Sequence, residues 1–395
     1  MAGLLSCGVG VVDFGMMTTP AMQFLLRQTR ASGGIMVTAS HNPPEYNGFK
    51  VVDADGIEIP RQKEERIERL MQQGSWSSQV RTGSIVRPVG LLDHYLDKLM
   101  ASMGSVEKSL RGTRLVVDAG NGVAAITTPK VLMRLGCDVL TVNDNIDGRF
   151  PGRPSEPRPD TLEPLSRLVI EQGADFGVAH DGDGDRAIFV DDKGKFQWGD
   201  KTFALVVDEV LKQHPGAKVV TPVNSSMSVG DIAKDRGGEL ILTKVGSIHV
   251  SRKMVETGAV LGGEENGGIF YAPHLPVRDG TMAVLLVLKC IAENGLPLSK
   301  LLTRLPRFFM AKEKFACDSE EKKTRTIVRL KALFGKRVTS ELDGVRVDVK
   351  DKGWLLVRTS GTEPLIRFYA EGRTEQDLSE ILNEFRPTVQ KALQA

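Results

Sequence analysis

Short apolar runs alternate with amphipathic stretches along most of this chain. The runs are rich in β-branched residues, and the stretches between them carry apolar positions at helical spacing, which predicts alternating strands and helices. Strands are predicted at 9–12, 35–38, 115–118, 139–143, 176–179, 187–190, 218–221 and 239–242, and helices at 19–29, 127–135, 162–172, 203–211 and 228–236. Strand–helix–strand units of this length favour an α/β fold with mostly parallel sheets covered by helices.

The alternation stops after Pro306. From Glu313 the pattern reads as a strand, a charged helix, three strands and a final helix, which is an α+β arrangement without crossovers. Breaks in the pattern divide the chain into four predicted domains. Three mixed α/β domains are expected at 1–88, 89–203 and 204–308, followed by an α+β domain at 309–395.

Composition argues against several classes of protein. The 395 residues carry 52 Lys and Arg against 50 Asp and Glu, whereas nucleic-acid-binding proteins usually have a clear basic excess. No apolar run reaches the ~18 residues of a membrane span, and the first residues lack the pattern of a signal peptide. The four cysteines are scattered, as expected of reduced thiols. We therefore expect a cytoplasmic protein that binds neither nucleic acid nor membrane.

A serine followed by a histidine stands just after the predicted strand at 35–38. Ser40 and His41 precede Asn42-Pro43-Pro44, and the prolines prevent a helix from starting there. A hydroxyl on a rigid loop at the carboxyl end of a strand can carry a covalent group. His41 is either its base or, as is more common for an isolated histidine, merely hydrogen-bonded. Lys50 follows in the next segment, either as a proton shuttle or phosphate clamp near Ser40 or as an ordinary solvated lysine.

Three aspartates alternate with glycines after the predicted strand at 176–179. Asp181, Asp183 and Asp185 can turn onto one point because the glycines free the backbone. Three carboxylates in one loop repel one another unless a cation compensates, and oxygen ligands favour Mg²⁺. A calcium EF-hand needs glycine at the sixth loop position, where this chain has Arg186, so we reject it. An Asp-Gly hairpin turn is the alternative to a metal site.

Two further loops carry polar groups. The segment Arg358-Thr359-Ser360-Gly361-Thr362-Glu363-Pro364 lies between two predicted strands and is followed by Arg367. Its guanidiniums, hydroxyls and N–H groups suit an anion such as phosphate, although an ordinary polar turn explains them equally well. The glycine-bounded tip Glu264-Glu265-Asn266 can hydrogen-bond the vicinal hydroxyls of a sugar, but that segment alone reads more simply as a flexible loop.

The four segments occur in one order along nearly the whole chain, and in that order they resemble the α-D-phosphohexomutases. This is the family of phosphoglucomutase, phosphomannomutase and phosphoglucosamine mutase, and the segments 38–44 and 264–268 are most similar to its archaeal-type branch. The resemblance implies four domains around a central cleft. It also implies an isomerase, an intramolecular phosphotransferase that interconverts the 1-phosphate and 6-phosphate of glucosamine, mannose or glucose. The reaction would pass through a phosphoserine and a 1,6-bisphosphate intermediate.

The resemblance also implies roles for single residues. Ser40 would be the phosphoserine, Arg186 would help to hold it, and His41 and Lys50 would be an acid/base pair whose order stays open. One Mg²⁺ would bind Ser40, Asp181, Asp183 and Asp185. Glu264 and Asn266 would hold sugar hydroxyls, and the non-reacting phosphate would bind Arg358, Thr359, Ser360, Gly361, Thr362 and Arg367. The resemblance further implies that the protein takes a phosphosugar substrate and a glucose 1,6-bisphosphate-type activator. It implies a monomer or a homodimer.

Two features depart from the family pattern. Gly268 stands where many bacterial members have histidine. Met1 to Gly8 read as the last turns of a capped helix, so the family's glycine-rich opening segment and first strand are expected to be missing, as in a truncated or mis-started reading frame. The alternative function is accordingly a phosphosugar-binding protein inactivated by N-terminal truncation. A metal-dependent phosphohydrolase that uses Ser40 is a third possibility.

Overall fold

The computed structural model describes residues 1–74, 81–361 and 363–394. Its strands are β1 (Val11–Val12), β2 (Gly33–Val37), β3 (Phe49–Asp53), β4 (Ile85–Val86), β5 (Arg114–Asp118), β6 (Asp138–Val142), β7 (Phe176–His180), β8 (Ala187–Asp191), β9 (Phe196–Gln197), β10 (Lys218–Pro222), β11 (Glu239–Thr243), β12 (Leu261–Gly263), β13 (Ile269–Tyr271), β14 (Leu275–Arg278), β15 (Phe309–Ala316), β16 (Val345–Val349), β17 (Gly353–Thr359) and β18 (Leu365–Gly372).

The helices follow the same chain order. They are α1 (Ala2–Ser6), α2 (Thr19–Gln28), α3 (Arg61–Gln73), α4 (Leu91–Ala101), α5 (Thr128–Arg134), α6 (Glu163–Glu171), α7 (Gly199–Gln213), α8 (Met227–Asp235), α9 (Ser247–Thr257), α10 (Gly280–Asn294), α11 (Leu298–Thr303), α12 (Glu320–Phe334) and α13 (Glu375–Gln394), with 3₁₀ turns at Gly104–Leu110, Val123–Ile126 and Gly335–Arg337. The chain divides into two compact units, which are Met1–Thr202 with Asn266–Lys300 (unit 1) and Phe203–Glu265 with Leu301–Ala395 (unit 2).

The main sheet of unit 1 has the strand order β6-β5-β7-β8-β9. Strands β6, β5 and β7 are parallel, whereas β8 and β9 are antiparallel to their neighbours. The face under α6 is packed with Leu165 and Val169 of the helix against Val116, Ala179, Ile188 and Val190 of the strands. Pairing of β7 with β8 extends to His180 opposite Ala187, so residues 181–186 form the connection of a hairpin.

Unit 1 also contains the antiparallel pair β2-β3, which runs from Gly33 opposite Asp53 to Val37 opposite Phe49. This pairing places Lys50 opposite Met36. Helix α2 precedes the pair and starts where the Thr18 hydroxyl accepts a hydrogen bond from the N–H of Ala21.

Unit 2 contains the parallel strands β11-β10-β12 and the antiparallel sheet β15-β18-β17-β16. Helices α12 and α13 pack on the antiparallel sheet because each helix has an apolar stripe. Apolar residues that alternate along the strands pack against these stripes. The residues of this core are Leu330, Phe334, Val345, Val347, Leu355, Val357, Ile366, Phe368, Ala370, Ile381, Phe385 and Val389.

A buried carboxylate connects the two parts of unit 2. Glu371 of β18 accepts hydrogen bonds from the indole N–H of Trp354 and from the backbone N–H of Met227, both at 2.8 Å. Trp354 packs there in a cluster with Val223, Leu356 and Tyr369. Met227 begins α8, so the acid also satisfies a free N–H at the start of that helix.

The predicted α/β class is confirmed, and most predicted strands and helices lie within two residues of the observed ones. The sequence does not predict β3, β4, β9, β12, β13, β14 or α9, and it does not indicate that β8 runs antiparallel to β7. The three boundaries between the four domains remain a prediction. Among the helices that the structure describes, none has the length and apolarity needed to cross a bilayer.

Candidate active site

The hairpin loop between β7 and β8 gathers the three aspartates. Asp181, Asp183 and Asp185 are buried, and each offers a ligand atom within 4.8 Å of the others. One carboxylate oxygen of each acid, namely Oδ2 of Asp181 and Oδ1 of Asp183 and Asp185, is buried without a hydrogen-bond donor. The loop is therefore both the hairpin and the acidic cluster that the sequence posed as alternatives.

This arrangement fits a divalent cation. Buried carboxylate oxygens without donors are costly, because desolvation penalises a negative charge that nothing compensates. Three such oxygens in one loop form an all-oxygen donor set, which suits Mg²⁺ better than a softer metal. The predicted ligands Asp181, Asp183 and Asp185 are thus brought together, and the magnesium prediction agrees with their chemistry.

Lys50 supplies part of the compensating charge. Its ammonium nitrogen lies 2.7 Å from Oδ2 of Asp183 and 2.9 Å from Oδ2 of Asp185, with Glu58 at 3.9 Å. Burial works against the charged form of Lys50, but Asp183 and Asp185 outweigh it and raise the pKa of this lysine. Lys50 is therefore protonated, and it is not the solvated lysine of the simpler interpretation.

Two residues that the sequence did not suggest complete the surroundings of the acids. Arg278, at the end of β14, donates to Oδ2 of Asp185 at 2.6 Å. Thr19, at the start of α2, donates its hydroxyl to Oδ2 of Asp183 at 2.7 Å and its N–H to the carbonyl of the same residue at 3.0 Å. Both side chains bind the Oδ2 atoms of their acids, so Oδ1 of Asp183 and Oδ1 of Asp185 stay without donors.

The acids differ in their electrostatics. Burial, followed by the charges of Asp185 and Asp183, raises the pKa of Asp181 well above its ordinary value. Burial also acts to raise the pKa of Asp185, but Arg278, Lys50 and Arg186 together reverse this and lower it. Without a bound cation, Asp181 is the acid whose negative charge is least compensated.

The serine loop lies against the aspartate loop. Ser40 has φ 54°, an uncommon value for a residue with a side chain, and its N–H bonds the Thr38 hydroxyl at 2.9 Å. A Cβ added at Gly182 would lie 2.5 Å from the Ser40 carbonyl oxygen, so only glycine permits this approach. Strained backbone of this kind often occurs at functional sites.

His41 and Arg186 are in contact beside Ser40. Nδ1 of His41 lies 3.1 Å from Nη2 of Arg186 and 3.5 Å from Oγ of Ser40. Because a guanidinium only donates, Nδ1 carries a lone pair and the ring proton is on Nε2. Burial and then the charge of Arg186 lower the pKa of His41 to about 4, in agreement with a neutral ring. The backbone of Arg186 is held by Asp181, whose Oδ1 accepts a hydrogen bond from the Arg186 backbone N–H at 3.1 Å.

The arginine loop lies in unit 2 and joins β17 to β18. Arg358 and Arg367 are direct partners across the two strands, a pairing that repulsion disfavours unless acids compensate. Asp343 accepts from Nε of Arg358 at 2.9 Å and also from the Val245 N–H at 3.0 Å. Arg367 pairs with Glu363.

The remaining predicted phosphate-binding residues differ in their hydrogen bonding. Nε of Arg367 is buried without a hydrogen-bond partner, as expected of a group that awaits an anion. Ser360 is buried and its hydroxyl accepts from the Glu363 N–H at 3.2 Å, so this side chain serves the loop itself. Thr359 ends β17, Gly361 has free space around it, and Thr362 lies outside the described residues.

The acidic tip is divided between the two units. Glu264, in unit 2, is buried, whereas Asn266, in unit 1, accepts a bond from the Gly268 N–H at 3.2 Å. Glu265, which the sequence did not single out, binds Nδ2 of Asn224 at 2.8 Å and also Lys312. The roles of Glu264 and Asn266 toward a sugar remain predictions.

Four stretches of the chain match the four domains of one protein family. Residues 1–78, 93–194 and 198–309 match the domains described as phosphoglucomutase/phosphomannomutase, alpha/beta/alpha domains I, II and III, and residues 314–388 match the C-terminal domain. A Thermococcus kodakarensis protein named phosphoglucomutase/phosphomannomutase is 37% identical over 390 residues, which are 97% of this chain and 84% of the relative. The chain belongs to the phosphoglucomutase/phosphomannomutase family.

Other members agree with this assignment. A Sulfurisphaera tokodaii protein named phosphoglucosamine/phosphogalactosamine mutase is 38% identical over 399 residues, covering 98% of this chain and 87% of the relative. The crystal structure of a phosphoglucomutase/phosphomannomutase family protein from Burkholderia thailandensis is 30% identical and superposes with a TM-score of 0.88. That match covers 99% of this chain and 84% of the other. The predicted phosphohexomutase family and isomerase class are thereby confirmed.

Proposed function

We propose that this member of the phosphoglucomutase/phosphomannomutase family interconverts hexose or hexosamine 1-phosphates and 6-phosphates with Ser40 as the phosphoryl carrier. The observation that carries the proposal is the approach of the Ser40 loop to three buried aspartates with unpaired oxygens. A phosphoryl carrier needs positive charge beside it, and this pocket is built to receive a cation next to a hydroxyl.

The reaction consists of two phosphoryl transfers. In the first, the bond between Oγ of phosphorylated Ser40 and phosphorus breaks, and a bond forms from phosphorus to a free hydroxyl oxygen of the sugar monophosphate. The product is a 1,6-bisphosphate. In the second, the other phosphoryl group moves to Ser40, which regenerates the phosphoserine and releases the isomeric monophosphate. A glucose 1,6-bisphosphate-type activator would phosphorylate a chain that has lost its phosphate.

The residues around Ser40 have separate tasks in this proposal. Asp181, Asp183 and Asp185, with phosphorylated Ser40, would hold one Mg²⁺, which when bound neutralises charge on the transferring phosphoryl group. Arg186 would orient the phosphoserine.

The order of the acid/base pair follows from the two protonation states. His41 is neutral and its Nδ1 lies 3.5 Å from the Ser40 hydroxyl, so in the second transfer it would give up its hydrogen bond to Arg186 and accept that proton. Lys50 is protonated and would donate to the sugar oxygen that loses the phosphoryl group in the second transfer. In the first transfer the two protons move back, from the attacking sugar hydroxyl to Lys50 and from His41 to Oγ of Ser40. Phosphoryl transfer depends mainly on positioning and charge, so His41 need not be a strong base and Lys50 need not be a strong acid.

The remaining predicted residues would bind the parts of the sugar that do not react. Arg358 and Arg367 are adjacent across β17 and β18, which supports a clamp for the second phosphate together with Thr359, Ser360, Gly361 and Thr362. Glu264 and Asn266 would bind sugar hydroxyls. The curated relatives carry different sugar names, so the preferred sugar has to be measured.

The test uses the full chain with Mg²⁺, glucose 1,6-bisphosphate and the 1-phosphates of glucosamine, mannose and glucose. Phosphorus NMR separates 1-phosphate, 6-phosphate and inorganic phosphate in one spectrum. We expect 6-phosphate from at least one sugar and a phosphate on Ser40 by peptide mass spectrometry. Comparing kcat/KM for the three sugars identifies the substrate.

Ser40→Ala is expected to lower the conversion rate by about a thousandfold or more, because the carrier oxygen is lost. Ser109→Ala, which removes an exposed hydroxyl in the same unit, is the matched control and should convert at the wild-type rate. Release of inorganic phosphate in place of 6-phosphate would overturn the proposal in favour of a hydrolase. Tight binding without conversion would overturn it in favour of a binding protein.

A further inference from the structure

Lys323 is a buried lysine beneath the arginine loop. It lies in the first turn of α12, within unit 2, and its side chain is only 4% exposed. The ammonium donates to the carbonyl oxygens of Ser360 and Glu363, both at 2.9 Å, and to Oε1 of Glu320 at 2.6 Å. An ammonium has three N–H donors, and these three acceptors use all of them.

The two carbonyls bracket the tip of the loop. Ser360 and Glu363 lie near the two ends of the segment 360–364 that joins β17 to β18, so one side chain holds both ends of it. Burying an ammonium is unfavourable unless its hydrogen bonds are complete. The loop conformation that supplies these carbonyls is therefore the one that α12 stabilises, and a shift of either carbonyl would leave the buried charge short of a partner.

The contact also sets the direction of one N–H. In a planar trans peptide the carbonyl of one residue and the N–H of the next point in opposite directions. The Ser360 carbonyl points at Lys323, so the N–H of Gly361 points away from α12. Gly361 has no atoms within 4 Å of a built Cβ, so the loop is open at this residue.

We infer that Lys323 is a positioning residue for phosphate binding: it holds the Ser360–Gly361 peptide so that the Gly361 N–H is available to the substrate's non-reacting phosphate. This inference rests on the proposed function, which assigns the arginine loop to that phosphate. Lys323 itself is directed at carbonyl oxygens and would not touch the ligand. Its charge is fixed under a loop that already carries Arg358 and Arg367.

Binding measured apart from turnover tests the inference. The probes are glucose 6-phosphate and glucosamine 6-phosphate, titrated calorimetrically into the full chain carrying Ser40→Ala. Adding Lys323→Met keeps the length of the side chain but removes its donors. We expect the Kd to rise about tenfold, since the loss of a hydrogen bond to a charged group weakens binding by about that factor. Lys331→Met removes a half-exposed lysine of the same helix, paired with Glu341, and should leave the Kd unchanged.

A second variant covers the case in which methionine at 323 prevents folding, as judged by circular dichroism. Gly361→Pro removes the N–H itself and leaves Lys323 in place, and it should also raise the Kd about tenfold. A folded Lys323→Met chain with wild-type affinity overturns the inference, and so does wild-type affinity in Gly361→Pro. An equal loss in Lys331→Met overturns it as well, because the effect would then not be specific to Lys323.

The proposed function and the inference fail in different ways. If the wild-type chain converts 1-phosphate to 6-phosphate but its affinity is independent of Lys323 and of the Gly361 N–H, only the inference is wrong. If both substitutions weaken binding of the 6-phosphates while the wild-type chain converts none of the three sugars, the mutase proposal is wrong and the positioning role stands. If neither 6-phosphate binds the chain, both are wrong.

Discussion

The ammonium nitrogen of Lys50 lies 2.7 Å from Oδ2 of Asp183. A cation bound to the aspartates would therefore compensate the same negative charges as this lysine. Replacing Lys50 by Met should cost about 3 kcal/mol in the presence of EDTA, because a buried carboxylate loses its partner. We expect the thermal midpoint to fall by several degrees and Mg²⁺ to restore part of that loss, as measured by scanning fluorimetry.

Lys63→Met is the control for this comparison, since Lys63 forms an exposed ion pair with Asp53 in the same unit. Exposed pairs contribute about 0–1 kcal/mol, so its midpoint should stay close to the wild type with and without Mg²⁺. Equal shifts in both variants would contradict a special role for Lys50.

Asp181 should report directly on cation binding, because burial and its two acidic neighbours leave its charge least compensated. In EDTA, Asp181→Asn should be at least as stable as the wild type, since the substitution removes a repelled charge. Added Mg²⁺ should raise the midpoint of the wild type and change that of the variant much less. Asp160→Asn, at an exposed acid, is the control. A wild-type Mg²⁺ response in Asp181→Asn would rule out this residue as a ligand.

Gly182 tests the contact between the two loops. A methyl group there would meet the Ser40 carbonyl oxygen at 2.5 Å, so Gly182→Ala must displace the serine loop. We expect kcat/KM to fall by about a hundredfold or more with little change in global stability, because small displacements of reacting groups are costly. Gly148→Ala, where a Cβ meets no atom within 4 Å, should be indistinguishable from the wild type. Normal activity in Gly182→Ala would show that this contact is dispensable.

Asp343 is expected to act through Arg358. Its carboxylate fixes Nε of that guanidinium, which leaves the two terminal nitrogens for the phosphate. Asp343→Ala should raise KM for the preferred 1-phosphate about tenfold and change kcat less, because the clamp holds a group that does not react. Asp348→Ala removes an exposed partner of Arg346 as the control. A loss confined to kcat would argue against the clamp.

The aspartate cluster could be predicted from sequence because it is local, whereas its partners could not. Thr19 reaches Asp183 across 164 positions and Arg278 reaches Asp185 across 93, and no spacing in the chain relates them. The pairing of β2 with β3 likewise positions Lys50, but the sequence does not predict β3 as a strand. Its Val51-Val52 pair and the following Asp55-Gly56 turn were available signals.

The position of Lys323 in its helix indicates from sequence alone that this lysine is buried. The charged helix that the sequence predicts after Glu313 is α12, and its buried positions are Lys323, Thr326, Leu330 and Phe334. These residues lie at helical spacing, so the lysine occupies the apolar stripe and not the solvent face. A charge in that stripe indicates a buried partner, although only the fold reveals that the partner is the loop after β17.

The carboxylate of Glu371 has a consequence for dividing the chain. It binds Trp354 and the first N–H of α8, so a fragment cut at the predicted boundary near residue 308 would separate the acid from Met227 and uncover the Trp354 cluster. The C-terminal piece expressed alone would present a buried anion and an aromatic patch to water. Residues 203–395 should consequently be expressed as one piece and not as two, even though the family divides them into two domains.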